Sequence, residues 1–148
     1  MDDSAVPETE YLTPLRQPRT VVAASDITIV AMSRMVVIAE QAAAQLKERG
    51  ISAEVIDLRT LSPLDEGAVL ESLAKTGRLV VVDESNPYCS MASEIAGLAV
   101  ERGFDTLDAP VRRVTAPHTP VPATPCLEIE YVPNAAKVIA AVEETLAY

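Results

Sequence analysis

Histidine occurs once in this chain, at His118, and cysteine twice, at Cys89 and Cys126. A Ser-His-Asp triad or a Cys-His pair would have to be built around that single imidazole. His118 stands in Thr115-Ala-Pro-His-Thr-Pro120, where it is either a proton shuttle or a surface-loop residue. The cysteines lie far apart and form no CxxC. With one histidine they supply too few ligands for zinc, and they make no disulfide framework. A reducing, cytoplasmic setting follows. Cys89 precedes a helical stretch, which would favour a thiolate, but a buried or incidental thiol is the preferred reading. The five glycines, at 50, 67, 77, 97 and 103, form neither GxGxxG nor GxxxxGK[ST]. The turn Met32-Ser33-Arg34-Met35 has no glycine to admit a pyrophosphate, and there is no GxSxG elbow. The residues present make no catalytic constellation.

The elements behind these residues are clearer. Thr20 to Ala23 and Ile27 to Ala31 read as strands, separated by Ala24, Ser25 and Asp26. Met35, Ile38, Ala39, Ala42 and Leu46 then fall on one stripe of a helix, which Gly50 ends. The unit repeats: Ala53 to Asp57 is a strand and Leu64 to Thr76 a helix, with Ser62 as cap, Pro63 in the first turn and Gly77 at the close. Leu79 to Asp83 is an unbroken apolar strand, as expected when both sheet faces are covered. Met91, Ile95, Leu98 and Ala99 mark a third helix, and Val111 to Thr115 a last strand. The stretch carrying Pro117, Pro120, Pro122, Pro125 and Pro133 is expected to be extended loop. Ala135, Val138, Ile139, Val142 and Leu146 give a closing helix. Strands alternating with helices predict a three-layer α/β/α sandwich with a largely parallel sheet. Residues 1 to 18, with Pro7, Pro14 and Pro18, read as a linker or extended arm from an upstream domain, and residues 19 to 148 as the folded domain.

The chain has 148 residues, 49% of them hydrophobic, with no Trp and one Phe, so its core must be aliphatic. Net charge is −10. That surface repels phosphate backbones and anionic lipid, so neither nucleic acid nor membrane is an expected partner. The acidity serves either solubility or a basic protein partner. No stretch approaches the ~20 apolar residues of a membrane-spanning helix.

Several segments together resemble one family. They are Asp26-Ile-Thr-Ile-Val, Glu54-Val-Ile-Asp-Leu-Arg-Thr-Leu-Ser-Pro-Leu-Asp65, Gly77-Arg-Leu-Val-Val-Val-Asp-Glu84, Glu94-Ile-Ala96, Asp108-Ala-Pro-Val-Arg-Arg-Val-Thr-Ala-Pro117 and Tyr131-Val-Pro-Asn134. Their order and spacing, over about residues 7 to 148, are similar to beta subunits of thiamine-diphosphate-dependent 2-oxoacid dehydrogenases. Asn86-Pro87-Tyr88-Cys89-Ser90-Met91-Ala92 looks more like the acetoin branch than the pyruvate or branched-chain forms. Met32-Ser33 departs from the tyrosine-glycine pair usual there, and related chains carry Asp where His118 stands.

The resemblance implies a domain of transketolase C-terminal type: a mixed five-stranded sheet, order 1-3-2-4-5, with strand 1 antiparallel. The short link from Ala23 to Ile27 agrees, since it cannot hold a crossover. It also implies that the cofactor, thiamine diphosphate, and the groups that activate it lie in other parts of the parent enzyme. This chain would then hold no cofactor and no catalytic residue. Its implied partners are the alpha subunit, a second beta subunit and the peripheral subunit-binding domain of a lipoyl acyltransferase. For that last partner an acidic docking surface is expected from Asp105, Asp108, Glu143, Glu144 and Tyr148. With the implied strand order the switch point falls between strands 2 and 4. Ser33, Arg59 and Glu84 are its candidates, as an anion site or as a structural Arg59–Glu84 ion pair. Two classes of function stay open: an assembly domain of a dehydrogenase, and an independent α/β ligand-binding or small-enzyme domain.

Overall fold

Runs of Val, Ile and Leu at Ile27–Ala31 and Leu79–Val82 are wholly buried, which places them at the centre of the sheet. The computed structural model describes residues 8–148. Five strands, β1 (Arg19–Val22), β2 (Ile27–Ala31), β3 (Ala53–Asp57), β4 (Leu79–Val82) and β5 (Arg112–Val114), lie in the order β1-β3-β2-β4-β5. β1 runs antiparallel to β3, and the other pairings are parallel. This is the mixed sheet that the family resemblance implied. β1 is an edge strand with a register break between Thr20 and Val22, and it is the least buried of the five.

Period-two alternation sends successive side chains of each strand to opposite layers. Ile27, Ile29, Val55, Val80 and Val82 face α1 (Met35–Glu48) and α5 (Ala135–Leu146), where Met35, Ala39, Ala42, Leu46, Val138 and Val142 are buried. Val30, Ile56, Leu79 and Val81 face α2 (Glu66–Thr76) and α3 (Met91–Gly103), against Val69, Leu73, Ile95 and Ala99. The result is a three-layer sandwich with an aliphatic core.

Two expectations need correction. α2 is capped by Asp65, whose carboxylate accepts the Ala68 amide at 3.3 Å. It therefore begins after Asp65, and Ser62 and Pro63 lie before it. The Ser62–Pro63 peptide is cis. Second, the proline-rich stretch is not all extended loop, because α4 (Pro125–Tyr131) forms within it. Pro125 occupies the first turn, where a missing amide costs nothing, so this proline starts a helix rather than forbidding one. Residues 8–18 of the expected arm carry no helix or strand and are largely exposed; residues 1–7 lie outside the described residues.

The arm approaches β1 at the carboxyl edge of the sheet, since Arg19 pairs with Asp57, the last residue of β3. The Arg16 amide donates to the Thr60 hydroxyl at 3.3 Å on that same edge.

Candidate functional site

The loops that leave β2, β3 and β4 each contain a residue other than glycine in the left-handed region: Ser33 (φ 53°), Arg59 (φ 54°) and Cys89 (φ 50°). Such backbone is costly and is retained where the surroundings fix it. At Arg59 the cause is visible. Its amide donates to Asp57 Oδ1 at 3.1 Å, closing an Asx turn, and its Nε lies 3.7 Å from Asp57 Oδ2. Ser33 and Arg59 thus come together, lining a cavity of about 390 Å³ with Thr13, Met32, Asp57 and Leu61.

Glu84 does not join them. It lines a second cavity, of about 550 Å³, with Asn86, His118, Thr119 and Tyr131. The expected Arg59–Glu84 ion pair is therefore replaced by Arg59–Asp57, because a carboxylate two residues back captures the guanidinium first. The Tyr131 hydroxyl, in α4, shares its one proton between the Pro117 and Thr119 carbonyls, at 3.1 and 2.9 Å. The His118 and Tyr88 rings pack in a T-shaped arrangement with their centroids 4.8 Å apart. Asp83 is buried, accepting the Ser85 and Ala92 amides, and so ties the end of β4 to the start of α3. Cys89 and Cys126 are exposed, and Cys89 adjoins Ser90, the cap of α3. The lining of the cavity around Ser33 holds no His, Cys or Lys, and its one carboxylate, Asp57, is engaged by Arg59. Among the described residues no group of three His, Cys, Asp or Glu side chains is placed to hold a metal ion.

The five expected docking residues lie toward the amino edge. Asp108 donates its amide to the Gly77 carbonyl, and its carboxylate lies 3.9 Å from Arg78. Glu143 pairs with Arg49 at 2.6 Å and Glu144 with Arg112 at 3.7 Å. Asp105 is exposed in the 3₁₀ turn Phe104–Thr106, and Tyr148 is exposed at the chain end. The two groups flank β5 from opposite layers, α5 on one side and the α3 connection on the other. They are interleaved with arginines, so the expected single acidic face is broken up.

One polar cluster went unread in the sequence. Glu54 and Thr28 are partners in the parallel β2–β3 register, and both are buried beneath the last turn of α2. Ser72 donates to Glu54 Oε1 at 2.5 Å, Thr28 lies 2.6 Å from Ser72 and 2.8 Å from Thr76, and Lys75 donates to Glu54 Oε2. Burial by itself would raise the Glu54 carboxyl. The hydrogen bonds from Lys75, Ser72 and the Ala24 amide, with the Lys75 charge, outweigh it and hold the group below its ordinary value. The available signal was a Glu inside an otherwise apolar strand, in register with a Thr and opposite a helix ending Ser-x-x-Lys-Thr.

A family model described as the transketolase C-terminal domain matches residues 17–138. The chain is 51% identical over 141 residues to the acetoin:2,6-dichlorophenolindophenol oxidoreductase subunit beta of Bacillus subtilis, covering 95% of this chain and 41% of that protein. It is 44% identical over 135 residues to the pyruvate dehydrogenase E1 component subunit beta of Leifsonia xyli, covering 91% and 40%. Among solved structures, a split-gene transketolase described as an inactive beta4 tetramer superimposes with TM-score 0.82 at 30% identity, over 97% of this chain and 48% of that one. A transketolase from Pichia stipitis shares the fold alone, with TM-score 0.61 at 18% identity, over 89% and 18%. The chain thus spans less than half the length of these curated relatives. No helix among the described residues is long and apolar enough to cross a membrane.

Proposed function

This chain belongs to the transketolase C-terminal domain family, and we propose that it serves as the assembly and docking domain of a dehydrogenase beta subunit. The parent would be a thiamine-diphosphate-dependent enzyme that oxidatively decarboxylates a 2-oxoacid such as pyruvate, or cleaves acetoin, and passes the acyl group to a lipoyl carrier. The observation that carries this reading is the sustained identity with acetoin and pyruvate dehydrogenase beta subunits across more than nine-tenths of the chain. In this reading thiamine diphosphate is held elsewhere in the parent. The partners of the domain are the alpha subunit, a second beta subunit and the acyltransferase's peripheral subunit-binding domain, and its setting is the cytoplasm.

The carboxyl edge supports the same reading. Leu61, Tyr88, Val121, Leu127 and Ile129 are large apolar side chains left exposed, and the arm runs to this edge. An apolar edge reached by a tether suits contact with a preceding domain of the parent. The linker role of residues 1 to 18 belongs to this proposal.

The test is calorimetric titration of the chain with thiamine diphosphate, with an assay for 2-oxoacid decarboxylation and sedimentation velocity at several concentrations. We expect no cofactor binding at micromolar concentration, no turnover, and at most weak dimerisation. Saturable cofactor binding or turnover by the isolated chain would contradict the proposal. The second reading, a ligand-binding domain in its own right, draws on the Ser33–Arg59 cavity. It predicts that an anionic small molecule raises the unfolding temperature, and that Arg59→Ala abolishes the rise.

A further inference from the structure

Neither the carboxyl-edge cavities nor the amino-edge acids make use of Glu54. Its side chain is 5% exposed, and an ionised carboxylate so placed is stable only with a counter-charge and hydrogen bonds. The counter-charge is Lys75, whose side chain is 47% exposed and so open to reagents and modifying enzymes from solvent. The hydrogen bonds come from three places: Ser72 on α2, Lys75 itself, and the Ala24 amide at 3.4 Å in the β1–β2 turn. Because the Ser72 proton is committed to Glu54, Thr28 supplies the proton of the Thr28–Ser72 bond. The chain of hydroxyls is therefore oriented toward an ionised acceptor.

The Ala24 contact matters because of what it holds. β1 is a four-residue edge strand with one hydrogen-bonded neighbour and a broken register. Elements of that kind open locally before the rest of a sheet does. Upstream of β1, Thr13 forms part of the wall of the Ser33–Arg59 cavity, and Arg16 is bonded to Thr60. Whatever loosens β1 therefore also loosens one wall of that cavity.

We propose that Lys75 and Glu54 form a charge-operated latch that couples the amino edge to the carboxyl-edge cavity. With both groups charged, the β1–β2 turn, β1 and the incoming arm stay on the sheet. When Lys75 loses its charge, or Glu54 gains a proton, β1 and the arm detach and the Ser33–Arg59 cavity opens, while β2 to β5 remain folded. The other ionisable groups near this cluster do not compensate. Glu71 lines the same surface as Lys75 and adds negative charge, and Asp26 in the turn is engaged by Ser52. Arg78 lies beyond the end of α2, beside Asp108.

The test is hydrogen exchange read by mass spectrometry on wild type, Lys75→Gln and Lys75→Arg. We expect Lys75→Gln to speed exchange of amides 19–24 by roughly tenfold or more relative to wild type, with amides 80–82 of β4 unchanged. Lys75→Arg should restore protection. In wild type the latch is closed above the ordinary carboxylate range and is lost as pH falls through the lowered Glu54 value. After correction for intrinsic rates, protection of 19–24 should therefore fall on acidification before that of 80–82. Exchange at 19–24 unaffected by Lys75→Gln, or accelerated equally in β1 and β4, would overturn the latch. Should Lys75→Gln fail to fold, the acid series decides, and simultaneous loss of protection in β1 and β4 overturns it.

Discussion

At the scale of single residues the molecule separates conformational need from contact. Gly50 and Gly77 both follow helices with positive φ, at 80° and 67°. A Cβ at Gly50 would meet nothing within 4 Å, whereas one at Gly77 would lie 2.2 Å from Asp108 Oδ2. Gly50→Ala should therefore cost only the left-handed backbone, about 1 kcal/mol. Gly77→Ala should cost more, because Asp108 must also leave its place beside Arg78. Urea unfolding of the two variants measures this, and a smaller loss for Gly77→Ala would refute it. Asp26 is a second case. The Ser52 amide, then the Ser52 hydroxyl, hold its carboxyl below the ordinary value. Its stabilising effect is thus present above the unfolded carboxylate range and fades as pH falls through the lowered value. Stability of Asp26→Asn should vary less between neutral and acid pH than that of wild type. Both glycines could be read as helix ends from the sequence alone, by position. The Asp108 contact could not, since it joins segments distant in the chain.

At the scale of elements, periodicity carried most of the fold. The stripe from Met35 to Leu46 is the buried face of α1, and the unbroken run from Leu79 to Val82 is an interior strand. The errors came where one residue type admits two roles. Pro125, expected in extended loop, starts a helix, and Asp65, nearer the helix than the expected cap Ser62, makes the capping bond. α4 is short and buries no residue fully, so no apolar stripe announced it. Tyr131 at its end is what ties it to the proline loop. Tyr131→Phe removes this shared hydrogen bond, with a net contribution of about 1 kcal/mol at most in this exposed setting. We expect faster proteolysis or hydrogen exchange across residues 117–131 with little change in the global unfolding midpoint. An equal change throughout the chain would mean that α4 is part of the core rather than an appendage. The candidate site was only partly legible for a related reason. Ser33 and Arg59, both switch-point candidates, do share a cavity. Their separation from Glu84 depends on Asp57 closing a turn, a local competition that spacing does not reveal.

At the scale of the whole molecule, a net charge of −10 is spread in a way that matters for partners. Glu143, Glu144 and Asp108 each lie beside an arginine, which leaves the amino edge acidic but interleaved. Exposed pairs of this kind contribute little individually. An arriving guanidinium would have to exchange with Arg49 or Arg112, so docking here should depend on several contacts together and on ionic strength. The exposed Tyr148 adds an aromatic face. The assembly role proposed for this domain stands or falls on calorimetric titration of the chain with a peripheral subunit-binding domain of a lipoyl acyltransferase. The titration is run at about 50 mM and about 300 mM salt, where the screening length differs by about 2.4-fold, on wild type and on Glu143→Lys/Glu144→Lys. We expect saturable binding that weakens by roughly tenfold or more at the higher salt and in the double variant. The absence of binding by wild type at either salt concentration would contradict it.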